Sequence, residues 1–244
     1  MKKLKLYLGT LFWCLKNPKL VRAKIGDSLG HAYYDSKHPI KRINNKIKRL
    51  NIEKKNFLDV TSIDVLKKVV VEYEDRIREN QTEFETHMIC ALAKKNNPKR
   101  ILEIGTFHGS TTVNLANNTS DDAKIITIDL RKNVERKNVG KFIKKHALNK
   151  KITQKYADDK NFNLKNLGFF DFIYIDGDHS YEGVKKDTVN ALEIISKGIL
   201  VWDDYNPKSH KRTMEGILDG KKKKKPVIKK LYKIKGTKLL VMEL

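Results

Sequence analysis

Apolar positions follow two different periods along this chain. From Thr61 to Lys95 they recur at helical spacing, and Asn97-Pro98 ends that helical stretch. After Pro98, short apolar runs alternate with helical stretches, the pattern of buried strands separated by helices. Strands are predicted at Arg100–Ile104, Lys124–Asp129, Ile152–Tyr156, Phe170–Asp176 and Ile199–Asp203, and helices at Ser110–Asn117, Arg131–Lys145 and Tyr181–Ser196.

This alternation predicts an α/β fold, because parallel strands need crossover helices between them. The tail departs from the pattern. Val227–Ile234 and Lys238–Met242 are predicted as two strands joined by the turn at Gly236-Thr237, a C-terminal antiparallel hairpin. The sequence therefore predicts a Rossmann-like, doubly wound sheet of seven strands, mostly parallel, with a reversed strand at its end.

Charge divides the chain into a near-neutral middle and two basic ends. The 244 residues carry 52 Lys and Arg against 29 Asp and Glu, a net charge of +23. Residues 1–50 hold 13 basic and 2 acidic side chains, and residues 205–244 hold 13 and 3, which leaves +2 for residues 51–204. We expect a basic N-terminal extension over 1–50 and a single folded domain over 51–244. The basic ends indicate either an anionic partner or simply solvated lysines.

The apolar stretch from Leu4 to Leu15 has leucines at helical spacing and fits either an interfacial amphipathic helix or packing on the rest of the protein. Its 12 residues would span only about 18 Å as a helix, too short to cross a membrane. The two cysteines cannot form a disulfide framework, which favours a reducing compartment. We therefore expect a cytoplasmic protein, with peripheral contact to an anionic membrane or glycolipid as one use of the basic ends.

A glycine turn follows the first predicted strand and leads into a helix, in the run Ile101-Leu-Glu103-Ile-Gly105-Thr-Phe107-His-Gly109-Ser-Thr111. Such a turn lets a nucleotide-like ligand approach the backbone. Glu103 suits a ligand that bears an ammonium group, because a carboxylate would repel a phosphate at short range. Asp129 lies 20 residues after Gly109, where a carboxylate is expected to accept hydrogen bonds from ribose hydroxyls.

Acidic side chains also end the fourth and fifth predicted strands. Asp176 follows one strand and Asp203-Asp204 the next, and these strands are neighbours in a doubly wound sheet. Three adjacent carboxylates repel one another unless a cation lies between them, and oxygen ligands favour Mg²⁺. The alternative is that these residues only cap helices. His179 is either an ordinary polar residue or, at the same cleft, a base for a hydroxyl proton.

The stretches I-L-E-I-G-T-F-H-G-S-T, I-D-G-D-H-S-Y-E-G-V and V-W-D-D-Y resemble class I S-adenosylmethionine (SAM) methyltransferases. Within that class they are most similar to metal-dependent sugar O-methyltransferases, the branch that contains macrocin O-methyltransferase. Catechol O-methyltransferase is a more distant relative. Its metal site ends in Asp-Asn and its base is a lysine, where this chain has Asp203-Asp204 and His179.

The resemblance implies SAM as cofactor. Glu103 and the Gly105–Gly109 turn would hold its methionine portion, Asp129 its ribose and Asp158 its adenine edge. The full set of predicted cofactor-binding residues is Glu103, Gly105, Thr106, Phe107, Gly109, Ser110, Thr111, Asp129, Leu130, Asp158 and Asp176. Asp176, Asp203 and Asp204 are the predicted Mg²⁺ ligands, and His179 is the predicted catalytic base.

The function so predicted is Mg²⁺-dependent methylation of a hydroxyl on a sugar or glycan. Small phenolic or natural-product acceptors are the alternative within the same enzyme class. The charge and the Lys221–Lys225 run favour a nucleic-acid methyltransferase. Against it, Asp176-Gly-Asp-His stands where amino-methylating enzymes of similar fold carry an Asn- or Asp-Pro-Pro-aromatic motif. A non-catalytic protein that binds membranes or polyanions is the remaining alternative.

Overall fold

A computed structural model describes residues 52–72, 82–130, 139–146, 148, 150–157, 163–206, 210–224 and 227–244, together with Asn45 and Lys48, and for 222–224 it describes the backbone alone. The chain divides after Asn45, and the elements below all belong to the second unit, Lys46–Leu244. The expected basic extension over 1–50 lies outside the described residues apart from Asn45 and Lys48. It therefore stays a prediction, as does the division at residue 50.

The described part of this unit contains eight strands and seven α-helices. The strands are β1 (Glu53–Lys55), β2 (Arg100–Ile104), β3 (Lys124–Leu130), β4 (Ile152–Ala157), β5 (Phe170–Ile175), β6 (Ile195–Trp202), β7 (Lys230–Ile234) and β8 (Leu240–Glu243). The helices are α1 (Phe57–Val60), α2 (Ile63–Lys67), α3 (Glu83–Asn96), α4 (Ser110–Asn117), α5 (Lys141–Lys145), α6 (Tyr181–Ile194) and α7 (Lys211–Lys224), with a 3-10 turn at Leu164–Leu167. No helix of the described ranges is both long and apolar enough to cross a membrane.

All eight strands form one sheet in the order β1-β7-β8-β6-β5-β2-β3-β4. Strand β8 runs antiparallel to both of its neighbours, β6 and β7, and every other neighbouring pair is parallel. The carboxyl ends of β2, β3, β5 and β6 therefore meet at one edge, where ligands bind in open α/β sheets. The predicted doubly wound sheet with a reversed C-terminal strand is confirmed.

The helix predicted at Arg131–Lys145 lies in part outside the described residues, which show α5 over Lys141–Lys145. The helix predicted at Tyr181–Ser196 ends at Ile194, and β6 follows it directly.

Two further elements were not predicted. Strand β1 adds an eighth strand, pairing Glu53–Lys55 with β7 in a stretch where no hydrophobic period was found. Three residues are too few to show a period, and the pairing covers the edge of β7. Helix α7 lies in a stretch where no element was predicted, and it includes most of the Lys221–Lys225 run. Its buried Met214, Ile217 and Leu218 follow helical spacing, but the surrounding lysines mask that stripe.

The core lies between the sheet and its flanking helices. Helix α3 begins with Thr82, whose hydroxyl accepts from the Glu85 amide while the Glu85 carboxylate accepts from the Thr82 amide. This reciprocal cap fixes the start of a helix that buries Met88, Ile89 and Leu92 against the sheet. The largest fully buried side chains include Trp202, Tyr174, Tyr232, Phe142, Phe170 and Phe172.

Truncating the centre of the sheet should unfold the domain more readily than truncating its surface. Phe172 on β5 is fully buried, whereas Phe169, just before the same strand, is 64% exposed. We expect Phe172→Ala to lower the free energy of unfolding by about 3–5 kcal/mol, because it removes buried area and leaves a cavity. Phe169→Ala is the matched control and should change it by less than about 0.5 kcal/mol. Urea unfolding of the full chain measures both; equal losses would contradict this description of the core.

Candidate active site

The loop after β2 holds a backbone shape that few residues tolerate. Gly105 and Gly109 have φ angles of 105° and 87°, and Phe107 has a φ of 42°. A Cβ atom on Gly105 would lie 2.0 Å from the backbone carbonyl oxygen of Asp176. The glycine is therefore required both for its φ and for its close approach. This contact brings the predicted cofactor loop against the loop that follows β5.

Asp129, near the end of β3, holds this loop in place. Its Oδ2 accepts a hydrogen bond from the Phe107 amide at 2.9 Å, and its Oδ1 accepts from the Leu130 amide at 2.7 Å. Each carboxylate oxygen has two lone pairs and can accept more than one hydrogen bond. The Phe107 ring is 46% exposed and stacks on the His108 ring at a centroid distance of 3.9 Å.

Glu103 lies beneath the loop and is 1% exposed. Its Oε2 accepts hydrogen bonds from the hydroxyls of Thr112 and Thr127, the second at 2.5 Å. The Thr127 hydroxyl donates its only proton to Glu103. It therefore accepts a hydrogen bond from the Thr106 hydroxyl, whose oxygen lies 2.7 Å away. Four buried side chains thus support the glycine loop from below, and the role predicted for Glu103 in holding an ammonium group stays a prediction.

The other predicted cofactor residues are placed around the same loop. Ser110 and Thr111 are the first two residues of α4, and Leu130 ends β3. Asp158 lies outside the described residues. Asp176 follows β5 directly, and its amide donates to the Ile104 carbonyl at 2.8 Å, which ties the ends of β5 and β2 together.

The carboxylate predicted to be a metal ligand at the second position after β6 is the centre of an ion-pair cluster. The Nζ of Lys238 lies 2.6 Å from Asp204 Oδ1. Asp204 Oδ2 is approached by His179 Nδ1 at 2.8 Å and by His210 Nε2 at 3.2 Å. The other nitrogen of His179 lies 4.0 Å from Asp176 Oδ1. We call Asp204, His179, His210 and Lys238 the Asp204 cluster.

The carboxyl groups of this site differ in acidity. Burial and the nearby charge of Asp203 raise the pKa of Asp176 well above its usual range. Burial raises the pKa of Asp203 to about 6, against the lowering effect of the Lys238 charge. Burial also tends to raise the pKa of Asp204. Hydrogen bonds from His179 and Lys238 outweigh this effect and lower the pKa of Asp204 to about 2. Asp204 is thus the most acidic of the three carboxyl groups.

The histidines of the cluster also differ. The hydrogen bond to Asp204 raises the pKa of His179 above its ordinary value, in spite of the burial that opposes it. Burial lowers the pKa of His210. The side chain of His179 is 53% exposed and that of His210 is 29% exposed. His179 therefore combines an oriented imidazole with access to a ligand.

Sequence reasoning missed Lys238 and gave His210 no role at the carboxylates. A usable signal existed, since a reversed last strand was expected. Strand β8 pairs Leu240 with Trp202, so the residues just before β8 lie beside those just after β6. That topology places Lys238 next to Asp203 and Asp204, although the linear sequence separates them by more than thirty positions.

The strand order with a reversed β8, the glycine loop after β2 and the carboxylate near the end of β3 define the class I methyltransferase architecture. Residues 102–205 match the family model described as a methyltransferase domain. The predictions of the class I fold and of a methyltransferase enzyme are thus confirmed. A comparison with curated proteins gives no match.

Solved structures with the same fold share little sequence with this chain. An O-methyltransferase from Bacillus cereus in complex with S-adenosylhomocysteine (SAH) has a TM-score of 0.54 at 15% identity, covering 77% of this chain and 100% of its own. TomG from Streptomyces achromogenes, an O-methyltransferase involved in tomaymycin synthesis and solved with SAM, scores 0.51 at 15% identity, over 78% and 99%. A precorrin-6y C5,15-methyltransferase from Geobacter metallireducens scores 0.52 at 12% identity, over 71% and 98%. At these identities the likeness shows the fold alone.

Adding a methyl group to Gly105 should weaken cofactor binding. Gly105→Ala forces a Cβ against the Asp176 carbonyl oxygen, so we expect SAH affinity to fall at least about tenfold. Gly168→Ala is the matched control: its φ is also positive, at 79°, but the nearest atom to its Cβ is the end of the Arg100 side chain at 3.6 Å. Calorimetric titration with SAH measures both variants, with thermal unfolding as the check on folding. Equal losses would show that backbone strain, not the loop contact, controls binding.

Proposed function

We propose that this chain transfers the methyl group of SAM to a hydroxyl oxygen of a sugar or glycan. The observation that carries the proposal is the pair formed by His179 and Asp204. The imidazole of His179 is half exposed, is held by the carboxylate at 2.8 Å, and lies in the loop that the cofactor turn contacts through Asp176. An oriented imidazole next to a methyl donor is what a hydroxyl acceptor needs.

His179 and Asp204 can account for the proton that the acceptor hydroxyl loses in this reaction. The Nδ1 of His179 donates to Asp204, which leaves Nε2 as the nitrogen that takes the hydroxyl proton. As that proton leaves, the acceptor oxygen forms a bond to the methyl carbon and the bond from this carbon to the sulfonium sulfur breaks. The products are a methyl ether, neutral SAH and an imidazolium, whose positive charge Asp204 stabilises. Positioning of the two reactants contributes much of the acceleration.

The predicted magnesium ion does not fit the arrangement of the described side chains. Asp204 Oδ1 already accepts from Lys238, and Asp204 Oδ2 is approached by the two histidines. Asp203 Oδ1 accepts a hydrogen bond from the Asp204 amide at 2.7 Å. Within the described ranges, no three His, Cys, Asp or Glu side chains surround a common point where an ion could bind. The Mg²⁺ requirement therefore rests on the resemblance alone, and no step of the proposed reaction passes through a metal.

The sugar or glycan acceptor is supported by the residues that carry the resemblance. The Asp176-Gly-Asp-His segment and the paired Asp203-Asp204 both match the sugar-modifying branch rather than the catechol enzyme. The half-exposed imidazole at the mouth of a polar site suits a hydrophilic acceptor better than an enclosed aromatic one. Phenolic acceptors remain the alternative, and the comparison of glycosides with catechols in one assay separates the two.

Replacing His179 should remove turnover while leaving cofactor binding intact. We expect His179→Ala to lower kcat with a glycoside acceptor by about 10²–10³-fold, because it removes the general base. SAH affinity should stay the same, since His179 is not part of the glycine loop. His87→Ala on α3, where the Nδ1 of the ring lies 3.3 Å from the Glu83 carbonyl oxygen one turn earlier, serves as the histidine control. Unchanged turnover in His179→Ala would contradict the assignment of the base.

We further propose that the basic ends dock the enzyme on an anionic membrane or glycolipid that presents its acceptor. Described lysines of the C-terminal basic end, together with Lys54 beside them on β1, support this use. Lys54 on β1 pairs in register with Lys233 on β7, and the exposed Lys229 and Lys230 begin the same edge of the sheet. Charged side chains at a sheet edge also prevent pairing with other sheets, so the lysines serve solubility in either case.

Reversing charge at this edge should weaken binding to anionic vesicles. Each lysine near such a surface contributes about 1 kcal/mol, so we expect Lys54→Glu with Lys230→Glu to lower the partition coefficient at least about tenfold. Lys144→Glu with Lys150→Glu, exposed lysines next to β4 at the opposite edge, is the control with the same charge change. Co-sedimentation with phosphatidylserine vesicles at rising salt measures both. Equal weakening, or no binding by the unaltered chain at low salt, would contradict a docking edge.

A further inference from the structure

We propose that Lys238 is the resident counter-cation of the carboxylates after β5 and β6, occupying with its ammonium group the place that a divalent ion would need at Asp204. The catalytic consequence of this inference rests on the proposed function. The contacts of Lys238 and the metal-binding test do not depend on that function. Lys238 acts here as a positioning residue: it fixes Asp204, and Asp204 in turn fixes the imidazole of His179.

Three contacts fix Lys238 in place. Its amide donates to Glu85 Oε1 at 2.6 Å, and its carbonyl accepts from the Tyr205 amide at 2.8 Å. Its Nζ donates to Asp204 Oδ1 at 2.6 Å, and the side chain is only 19% exposed. Glu85 is itself 1% exposed and is held by the cap at the start of α3. The ammonium group is therefore built into the site, not a surface charge that happens to reach it.

Asp204 is held as firmly from its own side. Its φ of 57° is in the left-handed region, and its amide donates to Asp203 Oδ1. This conformation turns the carboxylate so that one oxygen meets Lys238 and the other meets the two histidines. For a divalent ion to bind Asp204, one of these hydrogen bonds has to be given up. The ion would also face a positive charge a few ångström away, next to a carboxylate that is itself buried.

The arrangement further explains how a cluster of three acidic side chains is tolerated. Carboxylates at the ends of neighbouring strands repel one another unless positive charge compensates them. Lys238 supplies that charge from the turn between β7 and β8, and it acts on Asp203 as well as on Asp204. Removal of the lysine charge should thus leave the three carboxylates without compensating charge. It should also free one Asp204 oxygen to bind a cation.

Manganese binding tests the inference directly, because Mn²⁺ takes the same oxygen ligands as Mg²⁺ and is detected by electron paramagnetic resonance. We expect no stoichiometric binding by the unaltered chain. Lys238→Met should bind one Mn²⁺, at least about tenfold more tightly than any weak binding by the unaltered chain, and adding Asp204→Asn should abolish that gain. Lys238→Arg keeps the charge and should behave as the unaltered chain. Lys235→Met, an exposed lysine three residues earlier, is the control and should also show no gain.

Binding of one Mn²⁺ by the unaltered chain, with an affinity that Lys238→Met does not change, would overturn the inference. If Lys238→Met fails to fold, the Mn²⁺ titrations of the unaltered chain and of Lys238→Arg decide instead. Binding of one Mn²⁺ by both would overturn the inference. A chelator should not affect turnover by the unaltered chain. Loss of turnover in its presence would also overturn the inference. SAH affinity is measured for every variant. If no acceptor is methylated while the Mn²⁺ results hold, the proposed function fails and the role of Lys238 stands.

Discussion

The negative charge of Asp204 is the interaction on which the candidate active site depends. It draws together side chains from three separate parts of the chain: His179 from the loop after β5, His210 from the segment before α7, and Lys238 from the turn before β8. Charged hydrogen bonds of this kind contribute more than neutral ones, and burial of Asp204 strengthens them. Without that carboxylate, three donors would be left at the site with no common acceptor.

Two of the three described non-glycine residues with positive φ angles lie at this edge of the sheet. They are Phe107, in the loop after β2, and Asp204, in the loop after β6, while the third, Asn97, ends helix α3. Such conformations cost roughly 1–3 kcal/mol each and persist only where surrounding contacts hold them. Asp129 holds Phe107 through its amide, and Lys238 with the histidines holds Asp204 through its carboxylate. Both strained residues thus owe their conformation to a charged partner from a different strand end.

The elements that the sequence predicted well are those whose signal is local. The strand at Arg100–Ile104 and the helix at Ser110–Asn117 were predicted at the bounds observed, because period, glycine and polar boundary residues agree there. Helix α7 was missed because its lysines outweigh an apolar stripe of three residues. Strand β1 was missed because a three-residue strand is defined only by the partner it pairs with. The carboxylates after β5 and β6 were placed correctly at one edge, since parallel neighbours end on the same side.

Hydrophobic period, the glycine turn and the position of each carboxylate along the chain thus determine the class of fold and the chemical kinds of group at its carboxyl edge. What compensates those carboxylates is decided by tertiary structure alone. Strand β8 inserts between β6 and β7, and this pairing brings Lys238 to Asp204 across 34 positions of sequence. A count of acidic residues therefore suggested a metal ion, while the folded chain presents an ammonium group. Charge compensation depends on distance in space, and sequence spacing does not report that distance between separate strands.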